Sequence, residues 1–316
     1  MYLRGAVRFV MSAVLALLCA GQSHAEDGEG ALPFVHVETG TGHARLADAV
    51  AAIGAGEGTI LIAAGSYRDC AEQTEGTVRF QAEIPGQTIF DGATCPGGGV
   101  LVLAGQGAEV DGVIFQNIMG EAAAIRLVRG GLTVRNAMFR NSARAILAGA
   151  DPGARIWIDR SSFAELGPCT GDAACGSALE TSYYGTVIIS RSAFEEGRQS
   201  HYVKTRALRV DITGSRFDDA EGQATGYLID LPMGATGAIR SNSFVLGRSK
   251  AEAGGFVGVS TQSRDNVSDG LFITDNKAAL AGDVPRIVSF VQDASLQRVT
   301  VAGNELAPGI LSRETQ

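Results

Sequence analysis

One short phrase recurs along this chain and limits what it can fold into. An alternating apolar strand runs into two or three small or polar residues and then reaches Phe. It reads VDGVIF (110–115), VRNAMF (134–139), WIDRSSF (157–163), IISRSAF (188–194), VDITGSRF (210–217) and AIRSNSF (238–244), and decays into FITDNKAAL (272–280) and VTVAGNEL (299–306). The Phe residues stand at 115, 139, 163, 194, 217 and 244, at intervals of 24, 24, 31, 23 and 27. Two residues earlier lies a column of small hydroxyl and amide side chains, Ser161, Ser192, Ser215 and Asn242, continued by Asn276 and Asn304. Such side chains hydrogen-bond the backbone of tight turns, and stacked turns let them bond one another as a ladder. Repeats of this length, with short period-2 strands and 42 glycines, fit a solenoid of β-coils with the Phe column inside. No helical pattern separates the strands, which argues against a doubly wound α/β sheet. A β-sandwich has no need of one turn-residue type at one phase of a long repeat.

A second strand follows each Phe turn. Counting back from the next Phe aligns AIRLV (124–128), AILAG (145–149), ALETSYY (178–184), HYVKTRA (201–207), YLIDLP (227–232) and FVGVS (256–260). With Leu179, Val203, Ile229 and Val257 inward, their successors Glu180, Lys204, Asp230 and Gly258 face outward on rungs about 4.8 Å apart. Ser182, Arg206 and Pro232 form a second outward column. Tyr202 heads a third, with Tyr183 and Tyr184 at the end of the preceding rung. A slip of one residue would turn every one of these inward.

The N-terminal segment reads as a targeting signal: Arg4 and Arg8, then the apolar run FVMSAVLALLCA (9–20), then the small-x-small site Ser23-His24-Ala25. The expected organisation is a signal peptide over 1–25 and a single domain over 26–316, secreted or periplasmic, with no membrane insertion after cleavage and monomeric. Removing the signal leaves 24 basic against 34 acidic side chains, a net charge of −10 that argues against nucleic-acid binding. Export permits disulfides. Four cysteines allow three pairings. The short loop CTGDAAC favours Cys169 with Cys175, which leaves Cys70 with Cys95. No His lies near them and no CxxC spacing occurs, so zinc is not expected.

Residues 44–53 have helical apolar spacing ending at Gly54 and precede GTILIAAGSY, so a short helix is placed to cap the open end of the solenoid. Capping helix, GTILIAAGSY and strand-turn coils together resemble the right-handed parallel β-helix superfamily that includes pectin and pectate lyases. The resemblance implies an all-β, right-handed parallel β-helix with an N-terminal capping helix, and it specifies activity weakly because that superfamily hosts many chemistries. HYVKTRA followed by GYLIDLPMGA also resembles a pattern in bacterial right-handed β-helix repeat proteins, HxxKSRA then IDLPNGG, with Met233 and Ala235 standing where that pattern has Asn and Gly.

Two functions follow as expectations. In the first, the outward face around residues 180–232 binds an acidic polysaccharide, and lyase-like cleavage of that polysaccharide is the further expectation. β-Elimination needs a base for the proton α to a carboxylate and a cation to neutralise that carboxylate. Glu180 and Asp230 on either side of Lys204 keep it charged, which suits neutralisation, and leave Arg206, His201 or a Tyr as base. Tyr202, Tyr183 and Tyr184 are the candidate sugar-binding side chains. In the β-helix lyases calcium often serves as neutraliser, but the resembling WIDH stretch has Arg160 for His, so Asp159 is a weak ligand and no cofactor is expected. Glu180 and Asp230, two rungs apart, also approach the spacing of an inverting glycosidase pair, although the motifs of such enzymes are absent. In the second, the chain is a non-catalytic envelope or surface binding module whose charged column is a solvated ladder.

Overall fold

The computed structural model describes residues 32–167, 176–251, 254–282 and 287–315. The chain winds as a parallel β-helix, each coil giving one strand to each of three sheets. The coil from Tyr184 shows the order: Tyr184–Ser190 in the first sheet, Ala193–Glu195 in the second, Val203–Thr205 in the third, then Arg209–Thr213 back in the first. Neighbouring rungs pair in parallel throughout, except at the N-terminal edge, where Phe34–His36 runs antiparallel to both Thr41–His43 and Glu57–Ile62. The helix α1 (Leu46–Ile53) buries Leu46, Ala49, Val50 and Ile53 against the first coils and stops at Gly54, whose φ of 56° is left-handed. Cys70 and Cys95 form a disulfide with Cα atoms 5.5 Å apart. Cys169 and Cys175 lie outside the described residues.

The Phe column is the spine of the interior. Phe90, Phe115, Phe139, Phe163, Phe194, Phe217 and Phe244 stack with ring centroids 4.5 to 5.7 Å apart. The spacing follows from rung separation, which sets identical residues one above another. Beyond Phe244 the register places Ala278, and Phe256 and Phe290 fill the space edge-on. Phe163 lies 4.9 and 4.5 Å from its two neighbours and is wholly buried. Phe163→Ala is expected to cost about 3–5 kcal/mol of stability, read as a lowered urea midpoint at unchanged slope. A shift under about 1 kcal/mol would mean that the stack is not the spine.

The second column is a continuous hydrogen-bond ladder at the bend between the first and second sheets. Each side-chain oxygen accepts the backbone N–H of the rung before it: Ser161 from Ala137, Ser192 from Ser161, Ser215 from Ser192, Asn242 from Ser215, Asn276 from Asn242 and Asn304 from Asn276, at 2.9 to 3.2 Å. The residue preceding each ladder member takes left-handed φ, which Arg160 and Arg191 adopt at 46° and 50° despite their side chains. The ladder gives the N–H groups at this bend their partners, and that gain outweighs the local strain.

Candidate functional site

The third sheet holds Leu179–Thr181, Val203–Thr205, Ile229–Leu231 and Val257–Val259 in successive rungs. Leu179, Val203, Ile229 and Val257 are fully buried, so alternation turns Glu180, Lys204, Asp230 and Gly258 to the outer face. These four are direct partners across the rungs, and the column extends back through Leu147 to Arg126. The register therefore brings an acid, an ammonium and a second acid into line.

Within that line Asp230 is unusual, because an outward carboxylate is only 2% exposed. Thr261 donates to its Oδ1 at 2.7 Å, and His201 Nε2 lies 4.0 Å from its Oδ2. Burial drives its pKa up to about 6, against the opposing pull of Thr261, Lys204 and Arg206. His201 is displaced the other way, down to about 4, by burial first and then by the charges of Lys204 and Lys250. Its Nδ1 accepts the backbone N–H of Tyr227 at 2.9 Å, so the neutral ring carries its proton on Nε2, toward Asp230.

Tyr227 completes this corner. Its ring lies parallel to that of His201 with centroids 6.0 Å apart, and its hydroxyl donates to Gln292 Oε1. Burial, with the Asp230 and Glu314 carboxylates, pushes the phenol pKa up. Two glycines make room for the rings. A Cβ at Gly226 would stand 2.7 Å from the His201 ring, and one at Gly258 would stand 2.6 Å from the Thr261 methyl and 3.1 Å from the Tyr227 ring.

The other wall is the segment after Val257–Val259, which folds back across earlier rungs. The N–H groups of Gln262 and Ser263 donate to Pro232 O, and that of Asn266 to Met233 O. Asn266 is itself buried, with Nδ2 directed at the carbonyls of Gly234, Arg206 and Ala207 at 3.0 to 3.4 Å. These contacts use the backbone of the Met233 loop, so Met233 in place of Asn does not disturb them. Gln262 Oε1 accepts from Arg206 Nη2 at 3.1 Å, and Asp265 from the Tyr183 hydroxyl at 3.4 Å. Among the described residues Lys204 makes no ion pair within 4.0 Å, although Glu180 and Asp230 flank it in register.

The structure thus brings together Glu180, His201, Lys204, Arg206 and Asp230. Two of the three tyrosines are corrected. Tyr202 is 2% exposed and points inward, its hydroxyl 2.8 Å from the Gly197 N–H and 3.1 Å from Asp219 Oδ1. Tyr184 is fully buried, its hydroxyl donating to Gly130 O. Tyr202 precedes its strand, and Tyr184 opens the first-sheet strand Tyr184–Ser190 instead of ending the rung of Glu180, so the outward alternation of the third sheet reaches neither. Tyr183 remains at the surface. Asp159 does not suit calcium: both its oxygens are taken by Arg191, at 2.9 and 2.7 Å, and Ser190 adds a third bond at 2.7 Å. Among the described residues no group of three or more His, Cys, Asp or Glu side chains is placed to hold a metal ion.

Tyr227, Thr261, Gln262 and Gln292 were missed from sequence. Tyr227 carried a usable signal, since it aligns with His201 at one phase of the repeat. Thr261 and Gln262 carried none, because only the backward fold of their segment brings them to Asp230 and Arg206. In comparisons with known proteins, no family profile, curated protein or solved structure matches this chain.

Proposed function

We propose that this is an exported, pectate-lyase-like β-helix protein that binds an acidic polysaccharide on the outer face of its third sheet, with Asp230 able to exchange a proton with the bound sugar. The observation that carries the reading is Lys204: a cation set in register between two carboxylates yet ion-paired to neither, beside a carboxylate that is buried. A solvated charge ladder would pair its members and expose them. Lys204 and Arg206 supply the positive field for a uronate carboxylate.

For elimination, the base is Asp230 rather than His201. The Nδ1 lone pair of His201 is occupied by the Tyr227 N–H and its Nε2 already bears a proton. A carboxyl group titrating near pH 6 is ionised often enough at neutral pH to accept a proton and basic enough to hold it. In that step Asp230 takes the proton α to the carboxylate, the C–H electron pair forms the new C=C, the C–O bond to the glycosidic oxygen breaks, and that oxygen takes a proton from solvent water. The second reading, a binding module without turnover, is favoured by the small exposure of Asp230.

Lys204→Ala with Arg206→Ala is expected to abolish binding of uronate polysaccharides in calorimetry, and any release of unsaturated product seen by ultraviolet absorbance, with the melting temperature nearly unchanged. A fall in melting temperature with unaltered binding would make the two cations structural and overturn the proposal.

A further inference from the structure

Resting on that reading, we infer that the groove receives the end of an acidic glycan chain rather than its middle. The outward column is graded in exposure. Arg126 is exposed, Leu147, Glu180 and Lys204 are half-buried, and Asp230 and Gly258 are buried. The grading has a physical stop. Above Gly258 the space that a side chain would take is filled by the Tyr227 ring and the Thr261 methyl, 3.1 and 2.6 Å from the position of a Cβ. That stop is braced on both sides: Thr261 is bound to Asp230 in the rung before, and Tyr227 to Gln292 in the rung after. A polymer lying along the column cannot pass this point, so its terminal unit rests against Asp230 with its carboxylate toward Lys204 and Arg206.

The remaining length of the chain leaves in the other direction, over Glu180 and Leu147. There the column offers a second cation, Arg126, which makes no ion pair or side-chain hydrogen bond among the described residues. It stands three rungs from Lys204, about 14 Å at the rung spacing. Between the two cations Glu180 repels carboxylate and accepts hydroxyl hydrogen bonds. The site therefore selects a uronate at the chain end and a second acidic unit farther along, with a hydroxyl-bearing face over Glu180.

The test uses the wild-type protein and three uronans, of galacturonate, glucuronate and mannuronate, each supplied as dimer, tetramer and long polymer. Calorimetric stoichiometry per chain decides the matter: one protein per chain at every length is expected, with binding lost when one of the two chain ends is chemically blocked. Several proteins on each long chain would overturn end recognition while leaving the acidic-glycan reading intact. No binding to any uronan would overturn that reading itself. Two variants add independent readouts. Arg126→Ala is expected to weaken tetramer binding about tenfold and leave the dimer unchanged. Tyr227→Ala, which opens the stop, is expected to raise the number of proteins bound per polymer chain. Equal losses for dimer and tetramer in the first, or unchanged stoichiometry in a folded second, would count against the inference.

Discussion

Asp230→Asn is expected to make the protein more stable at pH 8 and to leave its stability nearly unchanged at pH 4. Burial raises the folded-state value from about 4 for an unfolded aspartate to about 6. A carboxyl group with a raised folded value contributes its full stability below the unfolded value and loses it as pH rises through the folded one. Above pH 6 the folded protein therefore carries an ionised, buried group at a cost of about 3 kcal/mol. Asn removes that cost while keeping an acceptor for the 2.7 Å bond from Thr261. For a chain of this size the gain corresponds to roughly 5–10 °C in melting temperature at pH 8. On the acid side His201 acts in the opposite sense. Its folded value is depressed to about 4, so its contribution is present above the unfolded value of about 6.5 and lost as pH falls through 4. That limb survives in the Asn variant. A variant less stable than the wild type at pH 8 would show that ionised Asp230 is net stabilising through its neighbours, and the proton-transfer role assigned to it would fall.

The same titration has a consequence for binding. Below pH 6 a neutral Asp230 leaves the charges of Lys204 and Arg206 less compensated, so the proposed binding of an acidic glycan is expected to tighten as pH falls, read by calorimetry at pH 5 and pH 8. A destabilising carboxylate kept beside two cations is a loss of stability of the kind that functional sites commonly carry.

The sequence carried the fold because stacking converts repetition into contact. Phe residues at one phase of the repeat became the aromatic spine, and the Ser and Asn column became the ladder, since every rung must present the same chemistry to the rung above. Glu180, Lys204 and Asp230 were legible for the same reason, being fixed by the alternation around Leu179, Val203 and Ile229. Tyr202 and Tyr184 were not, because corner residues obey the closure of the coil and not the strand period. The burial of Asp230 was illegible too. It depends on Thr261 and Tyr227, one following its strand and the other preceding it, and on glycines whose missing side chains leave room for rings. A pattern reports what repeats. The buried corner around Asp230 is made by what departs from it.

Asp219→Ala is expected to be among the most damaging single changes in the chain, costing about 3–5 kcal/mol. Asp219 and Lys250 form an ion pair at 3.0 Å with side chains 0% and 1% exposed, beneath the corner that carries His201. One oxygen of Asp219 accepts from Tyr202 at 3.1 Å and from Thr225 at 2.7 Å, and the other accepts from Lys250 and from the Gly247 N–H. The carboxylate thus joins the rung of Tyr202 to the next two. Its removal takes a carboxylate 3.0 Å away from a buried ammonium, and takes one of three hydrogen-bond partners from the hydroxyl of Tyr202, the residue beside His201. The penalty belongs to the loss of charge compensation inside the protein more than to the individual bonds, and this distinguishes the pair from a set of independent contacts. Adding Lys250→Met to Asp219→Ala should therefore recover part of the loss, with a coupling of about 1–3 kcal/mol in a double-mutant cycle. Costs that simply add would mean that the two charges are held independently. In that case His201, whose pKa the Lys250 charge helps depress, would owe its place to the strand alone and not to the network below it.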